Sequence, residues 1–424
     1  MAEKVDAKIS LGEEIGLLEG IPFGIKDVFM QKGVKSTASS NMLSNYNSPY
    51  NATAIDKLIN AGAIPVVREN CDSFGHGSTS ENTIFGPVLN AVDTSLSAGG
   101  SSGGSAVNVA LGNTVFSIGG DTGGSVRQPA GYNRIYGLKP TYGRISRYGL
   151  MAYASSTDCV GPLATSEEDI RILLNVMSGY DPKDMTSSDY DPVPESVTKG
   201  DGSINGMKIG YYKSFIESDA VDKKTGEQFK AFINSLKEMG AELYELDFME
   251  SQLVVSVYYV IAMAETASNL ARLDGTTYGK REQGRSLKDG YAVTRSMNFT
   301  EESKRRIVGG NQVLSHGYSD AIYIKANKLR SQICDNFKKD FEKVSIIISP
   351  VTPSPVPTIG CSLDNPLAMY LSDAYTVGFS LGALPTLSAP YGVESGVQIT
   401  ARHGAESDIL EFSSILRRIY NERR

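Results

Sequence analysis

Apolar residues repeat at helical spacing in several segments, and short apolar runs typical of strands lie between them. A helix needs one apolar face to pack against a core, and glycine is the usual residue where a helix ends. The predicted helices cover residues 54–61 (with Gly62 as C-cap), 106–111, 229–239 and a segment opened by a capping box at 165–168 that runs through Met177. The predicted strands cover residues 63–67, 113–118, 242–248 and 345–349.

This alternation predicts an α/β fold with a largely parallel sheet covered by helices on both faces. The run 345–349 is continuously apolar, as strands buried on both faces are. The most loop-like segment, 179–202, is rich in Asp, Pro, Ser and Gly. It is either a boundary between two domains or a long surface loop. Because the apolar segments on both sides look incomplete alone, we expect a single domain over 1–424.

Composition narrows the class of protein. The net charge is −7 over 424 residues, which argues against a chain that holds nucleic acid by bulk positive charge. The arginine-rich end, 417–424, is better explained as the C-terminal turn of a helix, where cations complement the helix dipole.

The cysteines, the histidines and the N-terminal segment further limit the class of protein. Four scattered cysteines without a Cys-x-x-Cys pair, and three histidines without metal-ligand spacing, predict neither disulfides nor a metal site. The expected compartment is therefore reducing. No apolar run reaches the ~18 residues of a membrane span, and no signal or transit peptide is visible.

Glycine and serine are concentrated in two patches, 99–105 and 119–125. The first leads into a predicted helix, whose N-terminus presents free backbone N–H groups. The second ends in Ser125, 24 residues after Ser101. Successive N–H groups through Thr122, Gly123 and Gly124 can converge on one oxygen, as in an oxyanion hole.

A nucleophilic serine needs a base. His76 lies in a glycine-rich loop but in no suggestive pattern. Lys26 lies in the apolar run 20–28, which predicts a buried strand. Burial lowers the pKa of a lysine, so that it can be neutral and accept a proton.

Each of these features has an ordinary alternative. A Gly-Ser patch is often a flexible loop or a phosphate cradle, although the standard phosphate-binding patterns are absent. A lysine in an apolar run is often a strand-edge residue whose amine reaches water. Asp121 is more readily explained as a turn residue than as a catalytic acid.

The combination of Lys26, Ser101 and Ser125 with the segments 99–105, 121–129 and 137–144 resembles the amidase signature family. The resemblance implies the fold of that family, a large mixed, mostly parallel, twisted sheet with helices on both faces. It also implies a Ser–cis-Ser–Lys triad. Ser125 would be the acyl nucleophile, Ser101 the proton relay and Lys26 the base.

Within the family, four further segments resemble the A subunits of tRNA-dependent amidotransferases: 80–87, 142–150, 304–307 and 315–318. The implied reaction is hydrolysis of glutamine through a γ-glutamyl ester, with the oxyanion held by the N–H groups of Thr122, Gly123 and Gly124. Arg305 and Asp373 would hold the two charged α-groups of glutamine, and Tyr258 is a further candidate for this pocket. The alternative for Arg305 is a charge on a helix surface.

The same resemblance implies partners. Ammonia would pass to B- and C-type subunits, which would bind ATP, Mg²⁺ and most of the charged tRNA, so that this chain needs no cofactor or metal. The expected location is the bacterial cytoplasm or the mitochondrial matrix. Two alternatives stay open: a stand-alone amidase acting on a small amide, and a non-catalytic structural subunit.

Overall fold

The computed structural model describes residues 1–200, 202–361 and 365–422, and its core is one ten-stranded sheet. The strands lie in the order β2-β1-β3-β5-β4-β9-β10-β8-β6-β7. Their bounds are β1 Pro22–Lys26, β2 Ile64–Glu69, β3 Phe116–Asp121, β4 Tyr136–Lys139, β5 Cys159–Ala164, β6 Lys208–Tyr212, β7 Glu242–Leu246, β8 Ile346–Pro350, β9 Thr386–Ala389 and β10 Val397–Ala401.

Fourteen α-helices within the described ranges surround this sheet. They are α1 Ala2–Leu11, α2 Thr53–Asn60, α3 Gly103–Ala110, α4 Arg127–Tyr132, α5 Glu167–Met177, α6 Ser214–Glu217, α7 Lys223–Glu238, α8 Ser251–Asn269, α9 Leu287–Asn298, α10 Glu301–Leu314, α11 Lys325–Phe341, α12 Pro366–Ser372, α13 Val377–Leu381 and α14 Glu406–Glu422.

The α/β class and the large mixed sheet are confirmed, but the sheet is less parallel than the alternation predicts. The two flanks are parallel: β2, β1 and β3 on one side, and β8, β6 and β7 on the other. Every pairing from β3 through β5, β4, β9 and β10 to β8 is antiparallel. Helix–strand units of the kind found in the sequence produce parallel neighbours only at the flanks, and at the centre β4 pairs with β9 across more than 240 residues.

The predicted elements occur with small shifts at their ends. Helix α2 precedes Gly62, whose φ of +92° suits glycine, and α7 ends shortly before Gly240. Helix α5 begins one residue later than the capping box predicts, because the residue that caps it is Ser166 rather than Thr165. The Ser166 side chain accepts a hydrogen bond from the backbone amide of Asp169.

The long segment 179–202 packs against the fold through polar contacts. Arg144 donates to the carbonyl of Asp191 at 2.8 Å, and Asn175 donates to the carbonyl of Val193 at 2.9 Å. Strands before and after the segment belong to the same sheet. That continuity is what a surface loop within one domain requires.

Helix α8 is a long, apolar helix. Together with the turn that follows, through Arg272, it is long and apolar enough by length and composition to cross a membrane, yet 61% of its most apolar window is buried inside the fold. Its buried residues include Val254, Tyr258 and Ile261, and its main neighbour is α10. This is how the core helix of a folded domain is placed, and its tyrosines reach the site described below.

At the basic C-terminal end, Arg417 pairs with Glu167 at 2.6 Å and Arg418 donates to the carbonyl of Gly202 at 3.1 Å. Both arginines therefore have partners within the chain. Arg423 and Arg424 lie outside the described residues.

Ile348, on β8 between β10 and β6, is fully buried. We expect Ile348→Ala to lower the free energy of unfolding by about 2–5 kcal/mol, since the sheet around it cannot collapse into the cavity. Val308→Ala, at a side chain that is 69% exposed, is the matched control and should change it by no more than about 0.5 kcal/mol. Denaturant unfolding of both variants measures this, and equal losses would contradict the assigned core.

Candidate active site

Lys26 is the last residue of β1 and is buried, with only 1% of its surface exposed. Strand β1 lies between β2 and β3, so its end is enclosed on both sides. The Lys26 Nζ atom lies 2.7 Å from Ser101 Oγ, 2.9 Å from Ser102 Oγ and 3.3 Å from the carbonyl oxygen of Gly120. The predicted base and the predicted relay are therefore in direct contact.

No carboxylate of the described residues lies within hydrogen-bonding distance of this amine. Burial lowers the pKa of Lys26, and the more distant charges of Asp72 and Asp121 oppose that shift only in part. Burial favours the neutral amine. A neutral amine has a lone pair that can accept the Ser101 proton.

Ser101 lies in a loop that requires glycine before it. The Gly100–Ser101 peptide bond is cis. A Cβ on Gly100 would lie 2.2 Å from Asp72 Oδ2, too close for any side chain. The backbone amide of Asp72 in turn donates to the carbonyl of Ser101 at 3.3 Å. Helix α3 begins two residues after Ser101.

The loop that carries Ser125 is held by a buried ion pair. Asp121, at the end of β3, accepts from Arg127 Nη2 at 2.9 Å and from Arg127 Nε at 3.0 Å, and both side chains are fully buried. The same carboxylate accepts the amide of Val126 at 3.1 Å. Burial alone would raise the pKa of Asp121, but the charge and hydrogen bonds of Arg127 outweigh burial and hold this pKa below its usual value. Asp121 thus shapes the turn, as its sequence position predicts.

Backbone contacts bring the two serine loops side by side. The amide of Ser102 donates to the carbonyl of Ser125 at 3.0 Å, and Ser125 is 8% exposed. On the other side, the hydroxyl of Thr376 donates to the carbonyl of Gly123. The hydroxyl of Thr122 donates to Asp158 at 2.6 Å.

These contacts change the expected oxyanion hole at one position. The amide of Gly124 donates to Asp121 Oδ1 at 2.9 Å, so this N–H is already used in shaping the turn. The amides of Thr122, Gly123 and Ser125 donate to no acceptor in the described part of the chain. They are the available donors beside the nucleophile.

Asp373, the predicted anion, is buried close to the nucleophile loop. Its Oδ1 accepts from Ser78 Oγ at 2.8 Å and from Gln128 Nε2 at 2.7 Å, and its Oδ2 accepts from Tyr259 at 2.5 Å. Burial raises the pKa of Asp373, and the hydrogen bonds from Tyr259 and Ser78 only partly oppose this. A carboxylate so placed gains from a bound cation.

Arg305, the predicted cation, and its neighbour Arg306 differ in burial. The side chain of Arg305 is 46% exposed and pairs with Glu302 at the helix surface, which is the alternative that the sequence leaves open. Arg306 is buried instead. It donates to Glu302 at 2.7 Å and to the hydroxyl of Tyr153.

Aromatic rings surround the Arg306 guanidinium, with those of Tyr153, Tyr259 and Tyr370 between 5.3 and 5.7 Å from it. Its Nη2 atom donates to no acceptor among the described residues. Tyr259 contacts Asp373 as well, so one side chain lies between the buried cation and the buried anion.

Tyr258, the further pocket candidate, lies against the nucleophile loop. A Cβ on Gly123 would be 2.4 Å from the Tyr258 hydroxyl, so that hydroxyl packs directly on the glycine. It also lies 3.5 Å from the hydroxyl of Tyr153. The structure thus places Tyr258 and Asp373 close to the loop that carries Ser125, whereas Arg305 is partly exposed and pairs with Glu302.

His76, the alternative base, contacts residues other than Ser101 and Ser125. Its Nδ1 lies 2.9 Å from Ser303 Oγ, and its ring packs edge-on against Tyr153. Burial lowers its pKa well below the usual value. Within the described ranges, no group of three His, Cys, Asp or Glu side chains is arranged to hold a metal ion.

Helical periodicity is the signal that could have found Arg306. The buried positions of α10 include Ser303, Arg306, Ile307 and Gly310, a repeat of three to four residues that leaves Arg305 outside. No pattern in the sequence predicts that Ser78 and Gln128 contact Asp373, because these contacts span 295 and 245 residues.

Comparison with known proteins agrees with this geometry. The family model described as Amidase matches residues 1–410. The glutamyl-tRNA(Gln) amidotransferase A subunit of Koribacter versatilis is 42% identical over 415 residues, which is 96% of this chain and 86% of that protein.

Two solved structures extend the similarity to the fold. The crystal structure of the glutamyl-tRNA(Gln) amidotransferase A subunit from Thermotoga maritima has a TM-score of 0.80 at 34% identity and covers 94% of this chain and 83% of its own. A crystal structure described as an amidase has a TM-score of 0.79 at 27% identity and covers 98% of this chain and 88% of its own. The chain therefore belongs to the amidase family.

Proposed function

We propose that this chain hydrolyses glutamine and supplies the ammonia to partner subunits of a tRNA-dependent amidotransferase. The observation that carries the proposal is a buried arginine and a buried aspartate, Arg306 and Asp373, which both contact Tyr259; Asp373 also accepts from Gln128, three residues after Ser125. The relatives named as amidotransferase A subunits, with the shares of chain given above, support the same function.

The two buried charges match the two charged α-groups of glutamine. Arg306 offers a free Nη2 for the α-carboxylate, and a guanidinium is the preferred partner of a carboxylate. The Asp373 carboxylate accepts a hydrogen bond from the α-ammonium. A small neutral amide lacks both groups and leaves both charges unused, which is how a site built for polar contacts rejects the wrong substrate.

Acylation begins with a proton transfer. Ser125 Oγ attacks the side-chain carboxamide carbon of glutamine while its proton passes to Ser101 Oγ, and the Ser101 proton passes to the neutral Lys26 amine. The carboxamide oxygen becomes an oxyanion, which the amides of Thr122 and Gly123 stabilise.

Collapse of this intermediate breaks the C–N bond. The proton on Lys26 returns through Ser101 to the leaving nitrogen, so ammonia departs and a γ-glutamyl ester of Ser125 remains. Water then attacks the ester by the same relay, glutamate leaves, and Ser125 recovers its proton. The balance is glutamine plus water to glutamate plus ammonia.

The relatives named as amidotransferase A subunits imply partner subunits. Activation of a carboxyl group on charged tRNA requires a nucleotide, and we assign ATP and Mg²⁺ to a B-type partner, with a C-type subunit completing the complex. The net charge of −7 is in keeping with a chain that leaves most of the tRNA contact to its partner.

A stand-alone amidase acting on a small amide is the second candidate. The similarity to the solved structure described as an amidase favours this candidate, since that protein has the same fold. Comparing the kcat/KM for glutamine with that for propionamide, with and without partner subunits, distinguishes the two. A clear preference for propionamide would support the second candidate.

We expect Ser125→Ala to lower glutamine hydrolysis by roughly 1,000-fold or more, because removing the nucleophile removes the covalent route. In the assembled complex, amidation supplied with free ammonium chloride should continue at the wild-type rate. Ser203→Ala, at an exposed loop position, is the matched control and should leave both activities unchanged. Loss of ammonia-dependent amidation in Ser125→Ala would show a structural role for Ser125.

We expect Arg306→Ala to lower kcat/KM for glutamine by roughly 30-fold or more, since a desolvated charge contact is lost. Arg305→Ala, the neighbouring arginine on the same helix, should stay within about threefold of wild type, because an exposed ion pair contributes little. Hydrolysis of propionamide by Arg306→Ala reports whether the triad is intact. Equal losses in the two arginine variants, or equal losses on the two substrates, would contradict the assigned pocket.

A further inference from the structure

Gln128 is a fully buried side chain that the mechanism above does not use. It follows the nucleophile Ser125 by three residues, and its amide donates to the carbonyl of Gly124 at 2.8 Å, which continues the helical turn of α4 back to the nucleophile loop. Gln128 therefore lies one turn away from the loop that carries Ser125.

The side-chain amide of Gln128 has a defined orientation. Its Nε2 donates to Asp373 Oδ1 at 2.7 Å and to the carbonyl of Ser372 at 3.2 Å. A carbonyl accepts only, and a carboxylate with no proton to donate does the same, so the NH₂ end must face these groups. The oxygen end, Oε1, is then the end that contacts neither of these groups.

Gln128 Oε1 has no hydrogen-bond donor in the described part of the chain, although the atom is buried. Buried acceptors in native proteins nearly always have a partner, and an exception calls for a bound group that supplies one. The missing group must donate N–H or O–H.

The position of Oε1 limits what that group is. The oxygen and nitrogen of a primary amide are about 2.2 Å apart, so with the Nε2 contact at 2.7 Å, Gln128 Oε1 lies within about 5 Å of Asp373 Oδ1. A single nitrogen can donate to both acceptors at ordinary hydrogen-bond lengths over that separation. Asp373 already accepts from Ser78, Gln128 and Tyr259, which leaves about one of its four lone-pair sites.

We propose that Gln128 is a specificity-determining residue whose Oε1 is the second acceptor, beside Asp373, for the α-ammonium group of the substrate. The inference rests on the proposed function and assigns one contact within it. A primary ammonium carries a positive charge and three donors, and so satisfies both the buried carboxylate and the unpartnered amide oxygen. The substrate class is thus an amide with a free primary amine on the carbon next to its carboxylate.

The test compares glutamine with glutaramate, which is glutamine without its α-amino group. In the full chain with its partners, Gln128→Met keeps the length of the side chain but removes the acceptor. We expect kcat/KM for glutamine to fall roughly 10- to 100-fold, as for loss of a hydrogen bond to a charged group, while kcat/KM for glutaramate stays within about threefold. Gln312→Met, the same change at an exposed position of α10, should alter neither value.

Equal losses on glutamine and glutaramate in Gln128→Met would overturn the inference, because the residue would then support the loop rather than the ammonium. If Gln128→Met does not fold, the kcat/KM of the wild-type chain for Nα,Nα-dimethylglutamine tests the inference instead. That substrate keeps the charge but only one donor, and we expect its kcat/KM to fall at least roughly tenfold. A value equal to that for glutamine would overturn the inference. A wild-type chain that hydrolyses no glutamine at all would instead refute the proposed function.

Discussion

The burial of one amine, Lys26 Nζ, is the constraint on which the rest of the site depends. Its partners are two serine hydroxyls and one backbone carbonyl, and no carboxylate of the described chain is close enough to pair with it. An ammonium ion in such a place would be strongly destabilised, so burial favours the neutral base. Strand β1 supplies this environment because it lies between two parallel neighbours.

The opposite electrostatic arrangement holds the nucleophile loop. Asp121 and Arg127 are as deeply buried as Lys26, but they are paired, and the pair fixes the amides of Gly124 and Val126. Arg127 also donates to the carbonyl of Thr376, whose hydroxyl in turn donates to the carbonyl of Gly123. The segment that carries Asp373 is thereby tied to the loop that carries Ser125, so the proposed nucleophile and the proposed substrate-binding anion keep a fixed relative position.

The sequence predicted the parts of this arrangement that depend on local pattern. The buried strand that contains Lys26, the two glycine–serine loops and the α/β class follow from periodicity and glycine placement. The antiparallel centre of the sheet did not follow, because β4 pairs with β9 across more than 240 residues and no local pattern encodes that pairing. The sequence also did not show which of Arg305 and Arg306 is buried, because two adjacent helical residues differ by about 100° in direction and only the packing of α10 selects between them.

Direct titration of the Lys26 amine tests the central claim. Nitrogen-15 NMR of protein labelled at the lysine side chains, with Lys26→Met to assign the signal, reports the protonation state of each amine against pH. The account predicts that Lys26 loses its proton at a clearly lower pH than a lysine side chain in water does, because burial lowers its pKa. A Lys26 amine that keeps its proton up to the ordinary pH range of lysine would contradict the account, because a charged lysine cannot accept the proton of Ser101.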